Sequence, residues 1–354
     1  MITYITLQDD TLEKISSDLK IENPVYLREF HNAHCAQHKR FHTDLRPGQY
    51  LLLPFGNEIT ELNKKIIENG DGLYYHPPHG KIPFQIPLLK GKYKINHQKF
   101  LDDERLADYQ YQIELDYIKF ENLHHIFSFQ MSDFKKEGSE SDTKISGLAK
   151  ACIEILYPLE IRFNEEGELK EVHLTSPENL LKDHLETLKS YFTDPYSADY
   201  INQMKSVIDD KKILLENLKN TLPLHLLTSS FYRASYGNWT DSQTYQDFLP
   251  WLTNASPIRF ELQNRILPKE DEALLKIIQN GSSSDSRSLD QLYAKSFVSE
   301  DQSTSKEKTV DCDHVAEYSF NRIDLSFLKI EAVFNVYIDD RIEKEIFSME
   351  KQQE

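Results

Sequence analysis

Apolar residues along this chain recur at two periods, and the switches between them mark its organisation. Tyr4 to Leu7 reads as a short strand. Leu12, Ile15 and Leu19 then follow at helical spacing, behind Asp10 and Thr11, either of which can accept from a free N–H of the first turn. Asn23-Pro24 closes that helix and opens a second, with Val25, Leu27 and Phe30 predicted to face inward. Pro47-Gly48 turns the chain into a strand that Pro54 ends. The order is strand, helix, helix, strand. Ile59, Leu62 and Ile66 predict a further helix that stops at Asn69-Gly70, and the Pro-rich segment to Pro87 predicts a linker, stiffened at Tyr74 to Gly80.

Period two dominates later. Tyr109, Tyr111, Ile113, Leu115 and Tyr117 alternate with polar residues, and Phe127, Phe129 and Met131 continue the pattern. Ile153 to Phe163 is predicted as a strand that turns at Asn164 to Gly167 into Leu169 to Leu174. Ser176-Pro177 predicts a helix start before the stripe Leu181, Leu185, Leu188 and Phe192, and a longer helix is predicted over 198–221. Trp239 and Trp251 read as core. A strand over Ile258 to Leu267, a helix over Asp271 to Gln279 and a polar loop with a helical turn around Leu289 to Phe297 come next. Val310 to Ile346 returns to alternation, so a weak duplication of two sheet halves around a helical centre is one reading. The expected fold class is α+β: a βααβ module over 1–56, a linker over 57–90 and a domain over 91–350. That domain holds strands over 109–174, helices over 176–252 and strands over 258–347.

Composition narrows the partners. A net charge of −17, from 58 acidic against 41 basic residues, disfavours duplex nucleic acid and anionic membranes, so neither is expected as a partner. With 39% hydrophobic residues, 19 Phe and 19 Tyr, the chain has ample core material. Cys35, Cys152 and Cys312 are odd in number and far apart, which fits a reducing compartment. The start of the sequence has no basic, apolar leader, and no apolar stretch nears membrane-spanning length. Cytoplasmic residence is expected, with any export through a machine that reads no such signal.

Tyr4, Asp10, Thr11, Leu12, Ile15, Asn32, Pro47, Gly48, Gln49 and Pro54 fall in the order of the LysM family's anchors, and residues 1 to 54 resemble a LysM domain. The resemblance implies a shallow groove for N-acetylglucosamine polymers, with Asp9, Asp10, Thr11, Asn32, Ala33 and His34 as ligand-binding residues. Asp9 stands where the family has glycine, Ala33 where it has proline, and the connection from His34 to Asp44 is longer.

His31, His34, Cys35, His38 and His42 lie within twelve residues and on a single helix would share one face, which makes them candidate zinc ligands. Paired Cys-x-x-Cys spacing is missing from the sequence, so a solvated face is the favoured reading and no metal or other cofactor is expected. The sequence carries no phosphate-cradling glycine loop, nucleophile elbow or His-Glu-x-x-His. Cys152, in an apolar strand, reads as an inert thiol, and Glu165-Glu166 as a solvated turn. The chain is not expected to be an enzyme.

LysM domains also occur without export signals in phage tails and related contractile injection machines, docked on the spike or tube. The expectation is therefore a non-catalytic adaptor or assembly protein of a contractile (type VI or phage-tail-like) secretion apparatus. The front module docks, and the larger domain holds a protein partner such as an effector. The alternatives are a peptidoglycan-binding wall protein and a LysM-anchored toxin.

Overall fold

The computed structural model describes residues 1–140, 144–228, 230–236, 240–294 and 308–352. Its contacts form two units, Met1–His76 with Pro268–Glu270, and Pro77–Leu267 with Asp271–Glu354. Among the described residues, no helix is long and apolar enough to cross a membrane.

In the first unit, strand β1 (Ile2–Ile5) precedes helices α1 (Leu12–Leu19) and α2 (Pro24–His34), strand β2 (Tyr50–Leu53) and helix α3 (Asn57–Glu68). Strands β1 and β2 pair antiparallel, Ile2 opposite Leu53. Thr11 caps α1 by accepting from the Lys14 N–H at 3.1 Å, and Lys20, at φ 59°, closes it in a left-handed turn. Asn23 caps α2 by accepting from the Val25 N–H, with Pro24 in the first turn, where its missing N–H costs nothing. The inward face of α2 is Tyr26, Leu27 and His31, while Val25 is exposed, so the stripe lies one position on from the predicted one.

Leu12, Ile15, Ile21, Leu27, Leu51 and Ile66 share one core. Fully burying a leucine such as Leu27 contributes about 2 kcal/mol. Ile66 belongs to α3, and Ile59 and Leu62 pack on the same core. Helix α3 thus completes the first unit instead of opening a linker at 57, and the division falls after His76. Asn63 ties α3 in, accepting from the Glu22 N–H and donating to the Lys20 carbonyl. The 3₁₀ turn Pro78–Gly80 lies just past the division.

The second unit opens with strand β3 (Gly91–Leu101), followed by β4 (Glu104–Glu121), β5 (His124–Lys136) and the short β6 (Ser139–Glu140). Helix α4 (Lys144–Leu156) and strands β7 (Leu159–Phe163) and β8 (Leu169–Leu174) follow. Next come helices α5 (Glu178–Tyr191), α6 (Pro195–Asp209), α7 (Lys211–Lys219) and α8 (Leu222–Thr228). Strands β9 (Tyr245–Leu249), β10 (Ile258–Ile266) and β11 (Leu274–Ser283), helix α9 (Leu289–Tyr293), and strands β12 (Cys312–Asn321), β13 (Phe327–Ile338) and β14 (Arg341–Lys351) complete it.

These strands form one antiparallel sheet in the order β8-β7-β5-β4-β3-β14-β13-β12-β11-β10-β9, with β6 on β5. The strand-rich segments on either side of the helices are therefore one sheet, joined where β14 pairs β3. On its covered face, His314, Ala316, Tyr318 and Phe320 of β12 are buried at every second position. Phe231 packs there, its ring 4.4 Å from that of Tyr318.

Four local expectations are corrected. Residues 153–156 continue a helix, because Leu148, Cys152 and Leu156 bury at four-residue spacing. Residues 274–279 are a strand: Leu275, Ile277 and Gln279 bury alternately between β10 and β12, and pairing overrides their helix-forming composition. The helix expected over 198–221 is two, since Asp210 ends α6 and caps α7 through the Lys212 N–H. Helix α5 starts after Pro177 with no side-chain cap from Ser176. Trp251 is buried, stacked on Phe334 at 5.1 Å. Trp239 and Phe297 lie outside the described residues.

Candidate functional site

The connection from α2 to β2 is anchored at three places. At the first, His31, buried on α2, accepts from the Leu52 N–H through Nδ1 (3.0 Å) and faces the Lys39 carbonyl with Nε2 (3.1 Å). The first bond places its proton on Nε2, so both ring nitrogens are engaged. At the second, the Asn32 amide donates to the Phe41 carbonyl (2.8 Å) and accepts from the Phe41 N–H (3.1 Å). At the third, Thr6, also buried, donates through Oγ1 to the Arg46 carbonyl and accepts from the Gln49 N–H (2.9 Å). The Gly48 N–H donates to the Thr6 carbonyl, and Gly48 takes φ 76°, which the Pro47-Gly48 corner needs and glycine adopts freely.

The anchored connection lines an open groove of about 650 Å³ running from His38 to Tyr50. Lys39, Arg40, Arg46, His38 and His42 are exposed there, with Asp44 as the one carboxylate in the lining. The Lys39 ammonium lies 5.4 Å from the centre of the exposed Tyr50 ring, within cation–π range.

The residues assigned by the LysM resemblance divide by role. The Asp10 carboxylate accepts from the Leu7 N–H (2.7 Å) and the Tyr4 hydroxyl (2.6 Å), and these bonds hold it below the usual carboxylate range. Thr11 is a helix cap and Asn32 a loop tie. Asp9, Ala33 and His34 are exposed. Among the described residues, no hydrogen bond joins Asp9, Asp10 or Thr11 to Asn32, Ala33 or His34. The groove itself uses later residues, 38–50, and Thr6, its most connected anchor, carried no signal in the sequence beyond its place after β1. Replacing Asn32 with Ala is expected to destabilise the first unit by about 1–2 kcal/mol, because it strips two backbone partners from Phe41. Denaturant unfolding would measure it, and an unchanged midpoint would remove the anchor from the account.

The histidine cluster does not share one helical face. Helix α2 ends at His34, Cys35 caps it, His38 sits in a 3₁₀ turn and His42 beyond it. His31 points inward, while His34 donates from Nδ1 to the Phe30 carbonyl and packs against the Phe30 ring. Among the described residues, no three His, Cys, Asp or Glu side chains are grouped to hold a metal ion.

The second unit has a pocket of about 430 Å³ between β8, α7, α8 and β9. His225 meets Asp247 there at 3.3 Å, and Arg233 meets Glu168 at 3.0 Å, with Lys170 on the same carboxylate. These residues come from segments far apart in sequence, and no spacing foretold them. The Thr228 hydroxyl in the lining donates to the Leu224 carbonyl at 2.8 Å. Cys152 is buried in α4, and burial pushes its thiol up to about 11, far from a reactive thiolate.

No family model matches the chain, and no curated protein matches it. Among solved structures, one of lipid–protein interactions in lipovitellin aligns at 10% identity and a TM-score of 0.38. It covers 77% of this chain, which spans only 26% of that one. A DUF3598-family protein of unknown function from Nostoc punctiforme aligns at 8% identity and a TM-score of 0.15, covering 75% of this chain and 97% of its own. At such scores neither likeness bears on function.

Proposed function

We propose that this chain is a non-catalytic adaptor whose LysM-like first unit docks on a protein of a contractile secretion apparatus, its spike or tube. The second unit holds the protein to be delivered. One observation carries the docking role. His31, Asn32 and Thr6 fix the backbone of the α2–β2 connection, so the exposed groove over 38–50 is held in shape before any partner arrives. A pre-ordered surface loses less entropy on binding than a free loop. The step to a contractile apparatus comes from the LysM resemblance of residues 1 to 54, supported by the strand, helix, helix, strand order and the β1–β2 pairing.

Two experiments on the full chain separate this reading from its alternatives. Affinity purification with lysine cross-linking is expected to recover a spike or tube protein joined through Lys39. Sedimentation with purified peptidoglycan is expected to leave the chain in the supernatant. Co-sedimentation with peptidoglycan would favour a wall-binding protein, and lysis of cells by the purified chain would favour a toxin.

A further inference from the structure

We propose that the groove over residues 38–50 binds an acidic peptide segment of the docking partner, an inference that rests on the adaptor reading and specifies its chemistry. The chain carries 58 acidic against 41 basic residues, so cations on its surface have carboxylates to meet. Arg40 and Arg46 nevertheless make no side-chain hydrogen bond or ion pair among the described residues, and both line this groove. Lys39 has the Tyr50 ring for company rather than a carboxylate. His38 and His42 add two imidazoles, and Asp44 alone opposes them within the lining.

The groove is also apolar in part. Tyr50 is 54% exposed, and the half-buried Phe41 lines the same groove. A guanidinium fork matches a carboxylate through two parallel N–H donors, while the rings offer a surface for an apolar side chain. A segment mixing Glu or Asp with apolar residues uses both features. A long phosphate polymer would extend past the groove onto a chain of net charge −17 and meet repulsion there, whereas a short acidic segment confines its charge to the cations.

The two arginines can be changed without dismantling the site. Arg46 holds the corner through its backbone groups, its N–H to the Gln49 side chain and its carbonyl to Thr6, and Arg40 is exposed. In the full chain, fluorescence anisotropy would be read with a short labelled peptide alternating Glu and Tyr. A peptide with Gln for Glu, inorganic polyphosphate and a single-stranded oligonucleotide would serve as competitors. The Glu peptide is expected to bind, to weaken as salt rises and to resist competition by the Gln peptide. Its affinity should fall roughly tenfold or more in the Arg40→Glu, Arg46→Glu chain, with Arg40→Gln, Arg46→Gln intermediate and circular dichroism unchanged. No binding, binding unaffected by charge reversal, or preference for polyphosphate or the oligonucleotide would overturn the inference. A spike or tube protein recovered equally by wild-type and charge-reversed chains would overturn it while leaving the adaptor reading intact. Failure of the wild-type chain to recover such a protein would strike the reading itself.

Discussion

Replacing His31 with Leu is expected to destabilise the first unit by about 3 kcal/mol, despite the fit of Leu to an apolar core. The substitution removes an acceptor from the Leu52 N–H and a donor from the Lys39 carbonyl, and His31 is 1% exposed, so a leucine there leaves both groups facing an apolar side chain. Each polar group left without a partner away from water costs about 1–3 kcal/mol. Leu52 already pairs with Thr3 on its other side, so His31 also covers the outer edge of β2. His31→Gln, which keeps an acceptor and a donor, should recover part of the loss. Chemical denaturation would give the magnitude, and hydrogen exchange at Leu52 would place it. A loss below about 1 kcal/mol, or a Leu52 amide as protected as before, would show that the ring only fills space.

Acid should destabilise the second unit through His314. Its ring is fully buried, lies against Phe334 at 4.4 Å and donates from Nε2 to Gln279 Oε1 at 2.9 Å. Burial disfavours the imidazolium and pushes its pKa down to about 3 from an ordinary 6.5. Between those values the unfolded chain binds a proton that the folded chain does not. Stability is therefore fully present above about pH 6.5 and declines as pH falls towards 3, by about 1.4 kcal/mol per pH unit. Near pH 5 the loss relative to pH 7 is about 2 kcal/mol. Asp285 acts lower in the range. Burial raises its pKa, but Arg287 and the Arg259 and Arg287 N–H groups outweigh burial and hold the carboxyl below normal, so its contribution fades only in stronger acid. His125, also lowered by burial, acts in the same direction as His314. His314→Gln, compared with wild type across pH 7 to 5, isolates the His314 share. Parallel stability curves for the two chains would contradict the assignment.

What could be read from the sequence was what local spacing decides. Thr11 and Asn23 announced the two helix starts, Pro47-Gly48 the corner, and Tyr109 to Tyr117 a strand, of which Ile113 and Leu115 are the buried positions, because each depends on neighbours a few residues away. The errors fell where distant partners decide. Residues 274–279 are composed like a helix and become a strand between β10 and β12. Strand β3 was missed, although Tyr93 and Ile95 alternate with Lys92 and Lys94, because the Pro-rich stretch before it read as linker. Among the groove's anchors, Asn32 drew notice through the LysM resemblance, but as a ligand contact and not as the tie to Phe41. The histidines stood as weak zinc candidates beside the favoured solvated face because spacing alone cannot show that His31 turns inward to β2 while His38 and His42 leave the helix. Arg40 and Arg46 are six positions apart with a bend between them, so no run of basic residues revealed that they line one cavity.

Hydrogen exchange on the full chain, alone and bound to the spike or tube protein it captures, tests the docking role most directly. Slowed exchange across residues 38–50 on binding, reduced in the Arg40→Glu, Arg46→Glu chain, is the predicted result. Capture of that protein with exchange over 38–50 unchanged, and protection confined to the second unit, would contradict it.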